Sequence, residues 1–180
     1  DEELIEETRL AITTLVQGAD SMVNGPFAGV NDAFEYSADL IKRMREEAIT
    51  TPATFEDIKN SFRDVAVQAR QAGASYEDII KLSGNMSTLG KLLGFDGGVV
   101  SKDVQQLLRG EMGDVATPQL KAIAKQSQEL YKAGKSAEQL KLIMDSLRLP
   151  DELRAKFENS FDGLTSSLLD EWAMFREEAG

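Results

Sequence analysis

Apolar residues recur every three or four positions along almost the whole chain, and the strict alternation of a half-buried strand is nearly absent. A 3.6-residue period builds helices, so the expectation is an all-α fold. The helices should form a compact, orthogonal or bundle-like array, joined in places as tight αα-hairpins. The punctuation predicts about seven of them. Residues 1–28 read as an N-terminal helix and linker, and 29–180 as one helical domain. The chain opens on Asp1 without Met and is expected to be a piece of a longer protein.

The helix ends are written in capping residues. A first helix is predicted from about Glu3 to Gln17, closed by Gly18, with a turn at Asn24-Gly25-Pro26. A second runs from about Val30 to Ile49. Its seam is Val30, Phe34, Ser37, Ile41, Met44 and Ala48, in which Ser37 is the polar flaw. Thr54 opens a third helix, with Asp57 at the capping-box position. Phe55, Ile58, Phe62, Val65, Ala66 and Ala69 line one face. Gly73 should close this helix in the left-handed conformation, and Ser75 should cap the next. Gly84 and Gly90 in that next helix mark a kink or a close helix contact.

Further on, Ser101 is the expected cap of a short helix from Lys102 to Arg109, closed by Gly110. Thr117-Pro118 starts another helix, because proline at the first helical position loses no needed hydrogen bond. Gly134 should close it. Ser136, with Gln139 three residues on, should cap the helix bearing Leu140, Ile143, Met144 and Leu147. Leu149-Pro150 breaks that helix. The last is expected from about Asp151 to Glu178, with a seam of Leu153, Phe157, Phe161, Leu164, Leu168, Trp172 and Phe175. One echo stands out: Ala72-Gly73-Ala74-Ser75 resembles Ala133-Gly134-Lys135-Ser136. Convergence on good hairpin chemistry and duplication of a helical pair both account for it.

Composition narrows the chemistry. The chain has neither Cys nor His. That excludes disulfides, His/Cys zinc sites, Ser-His-Asp and Cys-His units, and the Glu-x-x-His di-iron pattern. With 20 Lys+Arg against 31 Asp+Glu, the formal net charge is −11. Such a field repels phosphate backbones and anionic membrane surfaces, so no nucleic acid and no membrane partner is expected for this segment. No apolar run approaches the roughly 20 residues that span a bilayer, and the acidic start is the wrong sign for a signal peptide.

Two carboxylates would suffice for a glycosidase, at a separation of roughly 5 to 9.5 Å. Most acidic residues read instead as solvated helix faces, and none sits in an apolar stretch. Gly94-Phe95-Asp96-Gly97-Gly98 lacks the Gly-Lys-Ser/Thr ending of a phosphate loop and the acidic ladder of a calcium loop. The expectation is therefore no catalytic residue, no metal and no cofactor. Among the C-terminal aromatics, Trp172 and Phe175 are the candidates for anchoring a protein partner.

The segment Ala48-Ile49-Thr50-Thr51-Pro52-Ala53-Thr54-Phe55-Glu56-Asp57-Ile58 resembles a segment of tape measure proteins of long-tailed bacteriophages. Gln71 to Ile80, Lys91 to Phe95, Val104 to Met112 and Tyr131 to Leu140 fit its continuation, so the resemblance spans roughly Phe34 to Leu168. The chain departs at Ala53, where an aromatic is common, and Gln105-Gln106 only approximates the family's pattern. The resemblance implies a globular helical module attached to a long helical rod. It also implies protein partners at the tail tip or in tail assembly, a location in the virion or in the bacterial cytoplasm during assembly, and action as a multimer, which includes a homo-oligomer. The rival readings are a bacterial helical adaptor that binds a partner protein and a carboxylate-based hydrolase directed at peptidoglycan.

Overall fold

The structure is a computed structural model describing residues 2–23, 25, 29–95 and 98–159. Among the described residues there are nine helices and no strand: α1 (Glu2–Val23), α2 (Val30–Thr50), α3 (Phe55–Gln71), α4 (Tyr76–Leu92), α5 (Val99–Leu108), α6 (Pro118–Lys121), α7 (Ala124–Lys132), α8 (Ser136–Ser146) and α9 (Asp151–Asn159). The chain is all-α.

Helix α3 sits at the centre. It packs on α1, α2, α4 and α5, while α5 in turn carries α7 and α8, and α9 returns to α2. The reason lies in its side chains. Ile58, Phe62, Val65, Ala66 and Ala69 are all fully buried. Ala66 and Ala69 are small and allow close approach, while Phe62 fills the gap this leaves. Burying a side chain of that size stabilises by about 1.5–3 kcal/mol. Leu40, Met44, Ile79, Met86 and Leu89 join the same core, which continues through Leu107 and Leu120 to Ile143 and Leu147. α1 adds Ile12 and Val16 to it.

The joints at α3 and α4 form as the sequence predicts. The Thr54 hydroxyl accepts from the Asp57 amide at 3.1 Å, and the Asp57 carboxylate accepts from the Thr54 amide at 3.1 Å. Ser75 accepts from the Asp78 amide at 3.1 Å. Gly73 and Gly134 stand at φ +96° and +74°. In each turn the next residue reaches back over the helix end, Ala74 N–H to Ala69 O at 3.0 Å and Lys135 N–H to Leu130 O at 2.9 Å.

Elsewhere tertiary contacts override local signals. α1 does not stop at Gly18 but runs to Val23. Ala19 is buried there, and Asp20 accepts from Arg70 Nε at 3.0 Å, which together outweigh a glycine cost of about 1 kcal/mol. The flaw at Ser37 is a bridge between helices: its hydroxyl donates to Ala33 O and accepts from Thr13 at 3.0 Å. α5 begins at Val99 with Gly98 as its cap, so Ser101 lies inside the helix.

The helix expected after Thr117 is broken in two. Ile123 N–H bonds to Leu120 O in a tight turn, and α7 restarts at Ala124. Thr117 makes no cap hydrogen bond, since its hydroxyl is spent on Asp103. Ser136 is not a cap either. Lys135 holds that position, and Ser136 is the first residue of α8. The echo between the two hairpins thus extends to glycine and ends before serine. The helix expected to reach Glu178 is described only to Asn159.

Because only glycine adopts φ near these values without strain, Gly73→Val and Gly134→Val should each cost a kcal/mol or more, read as a lowered thermal midpoint by circular dichroism. Unchanged midpoints in both variants would refute the left-handed turns.

Asp57 supplies a pH dependence. Burial pushes its pKa up, but hydrogen bonds from Thr54 and the Lys91 ammonium at 3.3 Å outweigh this and hold it below the ordinary value. The contribution is therefore present above the unfolded carboxylate pKa, near about 3.9, and lost as pH falls through the lower folded value. The gap in melting temperature between wild type and Asp57→Asn should be open at neutral pH and close in acid.

Candidate interaction surface

A groove of about 650 Å³ lies between the start of α4 and α8, with α9 at one end. Leu82, Leu140 and Leu149 form its buried floor. α4 and α8 both rest on α5, which sets them as two walls. Lys81 on one wall and Lys141 on the other have no carboxylate within ion-pair reach among the described residues, and both are exposed. Asp145 is matched with Arg148 at 3.1 Å.

The α9 end of the groove is fixed by Arg154. Its guanidinium donates to Glu47 at 3.4 Å and to Asn85, tying α9 to α2 and α4. Glu47 lies flat over Gly84: a Cβ there would fall 2.6 Å from Oε1 and 2.8 Å from Cγ. Gly84 therefore marks a close helix contact. At Gly90 the nearest approach, 3.7 Å to Val100 Cγ2, is ordinary packing.

A second recess of about 350 Å³ lies where α3, α4 and the start of α5 meet. Asp64 occupies its α5 side and accepts from the Ser101 hydroxyl at 2.6 Å. A carboxylate at a helix N-terminus meets the positive end of the helix dipole. The protein's own Asp64 thus fills the place an anion would take.

The sequence reading placed no carboxylate in an apolar stretch, and the structure corrects it. Asp103 and Asp20 are only 5% and 7% exposed. Asp103 sits on the Val100–Val104–Leu107 face of α5, and that flanking was the available signal. Its Oδ2 accepts from Ala116 N–H at 3.0 Å, Thr117 N–H at 2.8 Å and the Thr117 hydroxyl at 2.7 Å. This carboxylate is a clamp that holds the α5–α6 loop. Gln139, expected beside a cap, is buried instead and donates to Leu107 O at 2.7 Å and Ser127 at 3.1 Å.

Asp20 joins a further joint at the ends of α1 and α3. Its partner Arg70 also donates to Ala74 O and lies 5.0 Å over the Tyr76 ring. Burial, reinforced by the Asp20 charge, pushes the Tyr76 hydroxyl far above its ordinary pKa. Tyr76 is thus a neutral wall of the joint at any physiological pH.

Of the sequence-predicted residues, Gly73 and Ser75 stand together in the turn between α3 and α4, with Gly73 on the groove lip, while Thr54 lies at the opposite end of α3. Thr117, Gly134 and Ser136 belong to the other half of the array. Trp172 and Phe175 lie outside the described residues. Large apolar side chains that are exposed, such as Met22, Val30, Ile49 and Tyr131, are scattered over α1, α2 and α7. Among the described residues no helix is long and apolar enough to cross a membrane, and no three acidic groups converge as a metal site. Compared with protein-family models, curated proteins and solved structures, the chain matches none.

Replacing Asp103 with Ala strands three donors at once, two of them on the buried Thr117. The expected cost is about 3 kcal/mol, at 1–3 kcal/mol per unsatisfied group with partial relaxation. Urea unfolding should show Asp103→Asn, which keeps one acceptor, at an intermediate loss. A change below about 1 kcal/mol for the alanine variant would sink the clamp.

Proposed function

We propose that this chain is a helical module of a tail tape measure protein of long-tailed bacteriophages or prophages. It acts by docking to tail-assembly or tail-tip proteins, and not by catalysis. The observation that supports this reading is where the resembling residues fall. The Thr50-to-Ile58 segment is the joint that starts the central helix, with Thr54 and Asp57 as a reciprocal cap. Gln71 to Ile80 is the next joint, with Gly73 left-handed and Ser75 as cap. Residues that carry the resemblance are thus those that set the angle between α2, α3 and α4, and so the shape of the surface.

A module of this kind contributes geometry. Its grooves and helix faces bind protein, in the virion or in the bacterial cytoplasm during assembly, and its copies gather as the tail does. The α4–α8 groove would equally serve a bacterial adaptor that receives a partner helix. Context separates the two. The parent reading frame should continue into hundreds of helical residues beside tail genes. Co-expression of the chain with the tail-assembly and tail-tip proteins encoded there should give a stoichiometric complex by size exclusion with light scattering. A short, free-standing gene remote from tail genes, with no complex formed, would overturn the proposal and favour the adaptor.

A further inference from the structure

We infer that the outward face of α1 is a docking surface for a second copy of this chain, the two α1 helices crossing antiparallel with Thr14 at the twofold axis. Between Leu10 and Val23 the sequence holds one charged residue, Asp20, and that carboxylate is turned inward to Arg70. What this stretch exposes is Leu10, Ala11, Thr14, Gly18, Ser21 and Met22. Leu10 is 50% exposed and Met22 64%, so the face offers apolar area to a partner. The Thr14 hydroxyl already donates to Leu10 O at 3.0 Å, so covering it strands no donor. Other helices expose charge along their length, as α2 does with Asp32, Asp39 and Glu46. Two chains of net charge −11 repel one another, and they approach at least cost over a face that carries none. The contact needs no tail protein, and its absence would leave the tail reading untouched.

Gly18 is an independent sign. Glycine inside an exposed helix is disfavoured relative to alanine. Among the described residues nothing lies within 4 Å of the place where its Cβ would stand, so no contact there calls for a glycine. The approach of another helix does. Leu10, Thr14, Gly18 and Met22 follow at intervals of four and form one ridge, of the kind that packs against a ridge of its own type with the axes inclined by about 50°. With Thr14 on the axis, Leu10 of each copy faces Gly18 of the other, a projecting side chain against open backbone. The surface is thus its own complement, as a twofold contact requires. The antiparallel sense follows from Glu2, Glu3, Glu6 and Glu7 in the first two turns. Side by side they would repel, whereas here they lie at opposite ends. Charge returns at Glu7, about 10 Å along α1 from Thr14, where it joins Lys59 and Arg63 around a small recess against α3. The inclined crossing carries the partner helix away from them.

Sedimentation equilibrium of the full chain should show its mass rising with concentration from 19.8 kDa toward twice that value. The rise should steepen in high salt, which screens the repulsion between copies. Gly18→Leu should hold the mass at that of one chain. Its melting temperature in dilute solution should equal or exceed the wild type's, since leucine favours the helix and meets open space. The chain has no Cys, so single introduced thiols report orientation. Thr14→Cys should oxidise to a disulfide-linked dimer, and Glu3→Cys should stay unlinked. A mass independent of concentration overturns the inference, as does association that salt dissolves, that Gly18→Leu retains, or that links Glu3→Cys in preference to Thr14→Cys. A melting temperature lowered by Gly18→Leu gives that glycine a role inside the chain and overturns it too.

Discussion

Burial of the apolar face of α3 among four neighbouring helices is the constraint on which the rest of the array depends. With no disulfide available, packing has to hold the fold. A helix can be enclosed by four others only if its faces alternate bulk with room, and α3 does this with Phe62 and Ile58 beside Ala66 and Ala69. Its two ends are fixed just as firmly. At one, Thr54 and Asp57 satisfy each other's amides; at the other, Arg70 holds Asp20 of α1 and the carbonyl of Ala74 beyond the turn. The angle of every neighbouring helix is set from this one element.

The polar joints share a logic. Asp103, Asp20, Asp64 and Glu47 come from a strongly acidic composition, yet each bonds to another element of the array, with Asp103 and Asp20 buried and Asp64 and Glu47 half-buried. Taking a carboxylate out of water is costly unless its hydrogen bonds are supplied. Here the donors arrive from distant parts of the chain: Arg70 is 50 residues from Asp20, and Arg154 is 107 from Glu47. Such pairs stabilise only one arrangement of helices. They therefore select among the many ways in which amphipathic helices could pack.

The functional reading follows from surface and not from reactive groups. The buried carboxylates Asp20 and Asp103 are engaged as a brace and a clamp. The described residues present outward a set of helix faces and, between α4 and α8, a groove with an apolar floor and walls that carry charges of both signs. Docking is the activity we propose for such a surface. The proposed tail reading adds a partner class to that statement from residues 48–58 and their continuation.

Some of this was legible along the chain. Apolar spacing determined that the fold is helical, because periodicity is a property of neighbouring residues. Thr54, Asp57, Gly73, Ser75 and Gly134 determined their own joints for the same reason: a cap bonds within four residues of itself. Other signals were decided by the array. Gly18 failed to end α1 because Ala19 and Asp20 gained partners on α3. Ser101 and Thr117 gave up capping because Asp64 and Asp103 offered carboxylate acceptors from other parts of the chain. Gln139 turned inward toward Leu107. In each case a bond made across space was stronger than the local alternative, and distance in space is what a linear pattern does not encode.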